Sequence, residues 1–150
     1  ARWSCHVRWS VGGDWLRPGG VECGLPAWVQ DRRSYAVGSS GKFAVVAFNE
    51  NAQHRLMRVD LESGEQHAIE ALVKYTAVEH LTTSETGERI AFWGSSATQS
   101  PRLVVHDFET GDTRIVARSS GETISPDRLS DAEAISWPTA DGETAHGLFF

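Results

Sequence analysis

The string Gly38-Ser39-Ser40-Gly41-Lys42 is the nearest this sequence comes to a catalytic motif. A serine hydrolase presents its nucleophile on a strained Gly-x-Ser-x-Gly elbow, so that the seryl oxygen stands beside an oxyanion hole. Here Lys42 occupies the place of the last glycine, and a turn is expected instead. The same string fails as a phosphate loop, because Ala36 replaces the first glycine and Phe43 follows the lysine. Six histidines (His6, His54, His67, His80, His106 and His146) show neither i, i+4 pairing nor a neighbouring Cys-x-x-Cys. They read as surface or strand residues, not as metal ligands. Glu22, between Val21 and Cys23-Gly24 and close to Pro26, is the candidate substrate contact; the plainer reading is a solvated carboxylate. Trp28, Trp93 and Trp137 sit in or beside apolar strands and are expected in the core, not in a stacking site for ligand. No metal or organic cofactor is called for.

The totals narrow the classes further. The chain has 150 residues, is 40% apolar and 23% charged, and carries a net charge of −6. That composition belongs to a soluble globular domain. The 14 basic residues are scattered, which with the acidic balance argues against a nucleic-acid partner. No apolar run approaches the roughly 18 residues needed to cross a bilayer. Two cysteines, Cys5 and Cys23, read as reduced thiols of a cytoplasmic protein, with a secreted protein holding one bridge as the other reading.

What must position these residues is a repeat. The stretch Arg55-Leu56-Met57-Arg58-Val59-Asp60-Leu61-Glu62-Ser63-Gly64-Glu65 is echoed by Arg102-Leu103-Val104-Val105-His106-Asp107-Phe108-Glu109-Thr110-Gly111-Asp112, at an offset of 47 residues. The same offset sets Phe43 on Ile90 and Val45 on Phe92. Each part of the shared Asp-x-x-Ser/Thr-Gly-acidic unit has a mechanical job. The aspartate accepts free N–H groups of a turn, and the glycine supplies the positive φ that a short hairpin needs. Ser84-Glu85-Thr86-Gly87-Glu88 offers the same chemistry at another hairpin. A period of about 40–50 residues built from short strands is that of a β-propeller.

The expected fold is therefore all-β: a partial β-propeller of two to three four-stranded antiparallel blades. One blade uses residues near 34–37, 42–48, 55–60 and 66–70, and the next uses residues near 78–82, 89–93, 102–108 and 113–117. The runs 43–48 and 90–93 are expected as inner strands buried on both faces. Residues 68–75 would pass as a helical turn but are taken as strand plus connector. Val11-Gly12-Gly13-Asp14 signals the outer hairpin of an earlier blade. Blades thus account for residues 1–117 and a polar linker for 118–133. Residues 134–150 form a hairpin turning at Asp141-Gly142. Both ends read as cuts through strands, so the chain is expected to be a piece of a longer protein.

Cys23-Gly24-Leu25-Pro26-Ala27-Trp28-Val29 with Ser34-Tyr35-Ala36 resembles a blade start in the acylaminoacyl-peptidase-like branch of the prolyl oligopeptidase family of serine peptidases. The unit Val59–Glu65 is similar to that family's later blade hairpins. Residues 134–147 resemble its junction between propeller and α/β-hydrolase domain. Gln30-Asp31-Arg32-Arg33 departs from the family, which usually has a more apolar, glycine-containing stretch there. The resemblance implies a parent enzyme that cleaves short peptides through an acyl-enzyme, with Ser, Asp and His all beyond residue 150. This segment would be non-catalytic and would gate the substrate. Its partners would be the remaining blades, the absent hydrolase domain and a short peptide. The competing readings are a non-enzymatic binding or scaffold propeller and a periplasmic accessory domain, since the fold hosts many functions.

Overall fold

The computed structural model describes residues 10–11, 14–15, 32–121 and 124–150, the first two pairs by their backbone alone. A short ladder comes first, β1 (Ser10–Val11) against β2 (Asp14–Trp15). It stands where the Gly-Gly turn signal placed a hairpin. Two four-stranded antiparallel sheets follow. The first runs in the order β3 (Tyr35–Val37), β4 (Phe43–Glu50), β5 (Gln53–Asp60) and β6 (Gln66–Ala68). The second is its sequel: β7 (Ala77–Thr83), β8 (Arg89–Ser96), β9 (Gln99–Asp107) and β10 (Thr113–Arg118). A last hairpin pairs β11 (Glu133–Pro138) with β12 (Thr144–Phe149) around Gly142, whose φ is 83°.

The hairpin turns form for the reasons the sequence gives. Asp60 Oδ1 accepts the N–H groups of Glu62 and Ser63 at 2.9 and 2.7 Å, and Gly64 takes a φ of 77°. Asp107 Oδ1 repeats this with Glu109 and Thr110 at 3.0 and 3.1 Å, and Gly111 has a φ of 76°. Between the sheets, β6 stops at Ala68, and a single 3-10 turn (Glu70–Leu72) drops Leu72 and then Tyr75 into the core. Residues 68–75, expected as strand plus connector, end the strand at Ala68 and hold this one 3-10 turn within the connector.

Register decides how the sheets stack. Phe43 lies opposite Asp60, whereas Arg89 lies opposite Asp107. The counterpart of Phe43 is thus Arg89, and the match of Phe43 to Ile90 and of Val45 to Phe92 is corrected by one residue. The extra residue of the second sheet lies on β9, where Ser100 and Pro101 together oppose Ser95 in a bulge. Because side chains alternate across a strand, a slip of one exchanges the two faces. The true counterparts are Ala44 with Ile90, Val46 with Phe92 and, on the next strand, Met57 with Val104.

The core then shows how the units repeat. Val45, Ala47 and Leu56 of the first sheet pack with Ile90, Phe92 and Val104 of the second, together with Leu72, Tyr75, Val78 and Leu81. One face of the first sheet meets the opposite face of its successor. Sheets related in this way stack in one sense, as successive blades do, and do not close face to face into a sandwich. The other face of the first sheet carries a second cluster, Ala44, Val46, Phe48 and Val59. This is a partial β-propeller.

Burial corrects two expectations. β4 is buried on both faces from Ala44 to Phe48, as expected, but β8 buries Ile90, Phe92 and Gly94 while Ala91 and Trp93 stay half-exposed. Trp93 lies on the face that does not stack onto the first sheet. Trp137 is 46% exposed on the final hairpin, where its ring lies over Gly147. Neither tryptophan belongs to the core, and Trp28 lies outside the described residues.

Candidate functional surface on the first strands

Glu22, the sequence candidate for substrate contact, lies outside the described residues, as do Cys5, Cys23 and the segment 23–29. The Gly38–Lys42 string is the expected turn. Gly38 and Phe43 bond through the backbone at 2.9 Å, Gly41 has a φ of 68°, and Ser40 Oγ accepts the N–H of Lys42 at 3.3 Å. Among the described residues no three His, Cys, Asp or Glu side chains converge as metal ligands, and no helix is long and apolar enough to cross a membrane.

Two histidines are structural. His106 is 4% exposed, with Nδ1 2.8 Å from Thr113 Oγ1 and its ring edge-on to Phe108. Burial holds its imidazole below the ordinary value, against the opposing pull of Asp107. His54 Nδ1 accepts the N–H of Val78 at 2.8 Å, and its pKa is also lowered, chiefly by burial. Tyr75 is raised, again chiefly by burial, with Arg102 and Arg118 acting the other way.

One group of exposed polar side chains lies on and just before the first strands. Among the described residues β3 and β7 each open a sheet and have one ladder partner. The edge of β7 is capped by the preceding unit: Leu81 N–H donates to the Arg33 carbonyl at 3.1 Å, and Thr83 Oγ1 donates to the Val37 carbonyl at 3.0 Å. Within β7 the register shifts between Glu79 and Thr82, so His80 and Leu81 together oppose Phe92. His80 takes a φ of 53°, a left-handed conformation that costs a non-glycine residue about 1–3 kcal/mol. The bulge turns Leu81 into the core, fully buried, and leaves His80 exposed beside Glu79. Glu79 in turn holds Arg32 in an ion pair at 2.6 Å, with both side chains more than a third exposed. Bulges at sheet edges re-aim side chains in this way.

The sequence reading did not single out Arg32, Glu79 and His80. A signal was present in Val78-Glu79-His80-Leu81. Buried apolar residues three apart cannot share a face of an unbroken strand, whose period is two. Arg32 lies in the Gln30–Arg33 stretch that departs from the family pattern.

No protein-family profile matches the chain, and no curated protein sequence matches it significantly. Solved structures do. A puromycin hydrolase matches with a TM-score of 0.74 at 22% identity, over 90% of this chain. A puromycin-hydrolyzing peptidase of Mycobacterium tuberculosis matches with a TM-score of 0.75 at 22% identity, over 89%. The chain spans 20% of the length of each. TolB from Acinetobacter baumannii matches with a TM-score of 0.50 at 19% identity, over 79% of this chain and 32% of its own. At these identities the likeness establishes fold alone: the chain shares its partial β-propeller architecture with part of these structures.

Proposed function

We propose that this chain is the non-catalytic propeller segment of a serine peptidase that cleaves short peptides through an acyl-enzyme. In this reading the propeller admits small substrates and holds back folded ones. Residues 134–150 are then the first strands of the α/β-hydrolase domain, which would bring the Ser, His and Asp. What supports it is the likeness to the puromycin hydrolases, supplemented by the polar strip of Arg32, Glu79 and His80. First strands of blades border the central passage of a propeller. A strip carrying both charges and an imidazole there can meet a peptide's terminus and its amides. An acylaminoacyl preference and a cytoplasmic location belong to the same proposal.

The test uses the parent protein. A fluorophosphonate probe should label it, and short aminoacyl or N-blocked peptides should be hydrolysed while a folded protein is spared. His80→Ala should raise KM for a tripeptide several-fold and leave kcat within about twofold, as loss of uniform binding does. Absence of both labelling and hydrolysis would sink the peptidase reading in favour of a binding propeller. Labelling with an unchanged KM would remove only the strip's role.

A further inference from the structure

We infer that His54 is an acid-sensitive latch between the two sheets: its unprotonated Nδ1 accepts the backbone N–H of Val78 at 2.8 Å, and a proton on that nitrogen releases the first strand of the second sheet. The inference is independent of the proposed enzymatic role.

The geometry fixes the tautomer. Val78 N–H has one orientation, so Nδ1 must be the acceptor and the neutral ring carries its proton on Nε2. His54 is itself held in place, because its own N–H donates to the Thr76 carbonyl at 2.7 Å. The two bonds clasp the entry to β7 from both sides of Ala77. Val78 is fully buried in the core, so its amide has little access to water as a substitute. Protonation of Nδ1 sets a donor against a donor. It breaks this bond and leaves a buried N–H unpaired, which costs more than the bond itself contributes. Farther along β7, Leu81 N–H is held by the Arg33 carbonyl, which does not titrate. The release is therefore confined to the end of β7 nearest the connector.

From β7, Glu79 favours the imidazolium, but Arg32 at 2.6 Å partly neutralises it. On β5 itself, the Arg55 guanidinium is taken by the Val73 carbonyl at 3.0 Å and by Gln53 Oε1 at 3.3 Å. Glu50 ends β4 opposite Gln53, and the connector carries Glu70 and Lys74, the latter over the Tyr75 ring. Asp131 and Glu133 flank Ala132, whose carbonyl is 3.5 Å from Gln53 Nε2. Burial outweighs Glu79 and holds His54 below 6.5. The open form, with a pKa near 6.5, therefore binds the proton more readily than the closed form does. The latch is fully effective above that value and weakens as pH falls from it towards the lower folded pKa.

The experiment is hydrogen exchange on the whole protein, resolved to single amides and corrected for intrinsic pH dependence, between pH 7.5 and 5. Val78 should lose protection by up to about tenfold per pH unit below pH 6.5, the slope for one proton, while Leu81 holds constant. In His54→Asn, the amide oxygen can occupy the Nδ1 position and cannot titrate, so the Val78 profile should become flat. His54→Ala should leave Val78 weakly protected at every pH, and His106→Asn should leave the wild-type profile unchanged. A flat Val78 profile in the wild type overturns the latch. So does parallel loss at Val78 and Leu81 that persists in His54→Asn. Should neither variant fold, the wild-type ring titration decides: a pKa at or above 6.5 overturns the inference.

Discussion

The two sheets share strand order and turn chemistry, yet they differ where Asp60 and Asp107 meet the neighbouring strand. Asp60 lies opposite Phe43, and Asp107 lies opposite Arg89, whose Nε donates to its Oδ2 at 2.6 Å. In the second sheet the residue beside the turn therefore stays within its own sheet. In the first it reaches across. The Phe43 ring stands edge-on to Phe108 with centroids 6.0 Å apart, and the Arg58 guanidinium lies over both rings, at 4.4 and 5.0 Å. The turn itself is copied from unit to unit, while the residue opposite it is free to serve either the turn or the seam between sheets.

The largest contrast should come from the faces. Phe92 and Val46 are counterparts, but Phe92 fills the seam between the described sheets, in T-shaped contact with Tyr75 at 5.5 Å. Phe92→Ala should cost about 3–5 kcal/mol in denaturant unfolding, and Val46→Ala about 2 kcal/mol. Equal losses would mean that the two faces are not distinguished by the packing described. Gly94 sharpens the point. A Cβ there would come within 2.7 Å of Phe92 and 2.8 Å of Tyr75, so Gly94→Ala should destabilise by about 1–3 kcal/mol through overpacking.

The turns should behave alike. Gly64→Ala and Gly111→Ala each force an L residue into a φ near 77° and 76°, at a cost of about 1–2 kcal/mol. At Gly111 the cost is conformational alone, since nothing lies within 4 Å of the added carbon. Losses that differ by more than about 1 kcal/mol would show that the two hairpins are not equivalent, whatever their shared sequence.

These contrasts also mark what could be read from the chain directly. Eight strands and their turns were legible because Asp60, Gly64, Asp107 and Gly111 act locally, within six residues. The relation between the sheets was legible only to within one residue. The bulge that sets Ser100 and Pro101 opposite Ser95 carries one mark, a proline inside a central strand, and a single inserted residue exchanges the faces. Trp93 and Trp137 were misassigned for a related reason: apolar flanks do not say which face the neighbouring sheet covers. The candidate surface was hardest to see. Arg32 and Glu79 are 47 residues apart, and their pairing depends on β3 and β7 lying side by side.

The smallest and most specific contrast is electrostatic. Both aspartates sit below the ordinary carboxylate value of 3.8, and Asp107 falls to about 2. For Asp60 the cause is hydrogen bonding from Ser63, backbone and hydroxyl, and from the Glu62 N–H. For Asp107 it is first the Thr110 N–H and then the Arg89 side chain. A carboxyl whose folded pKa is depressed stabilises the fold above its unfolded value and loses that contribution as pH falls towards the folded one. The Asp107 contribution therefore decays between about pH 4 and pH 2. Arg89→Met keeps the stem and removes the guanidinium, so the Asp107 carbon resonance should titrate at a higher pH while Asp60 is unmoved. In the converse variant, Phe43→Arg, a guanidinium opposite Asp60 should lower that residue's titration, at the expense of the contact with Phe108. If Arg89→Met leaves Asp107 where it was, the turn N–H groups alone set its acidity. The difference between the sheets would then lie in the seam and not in the turns.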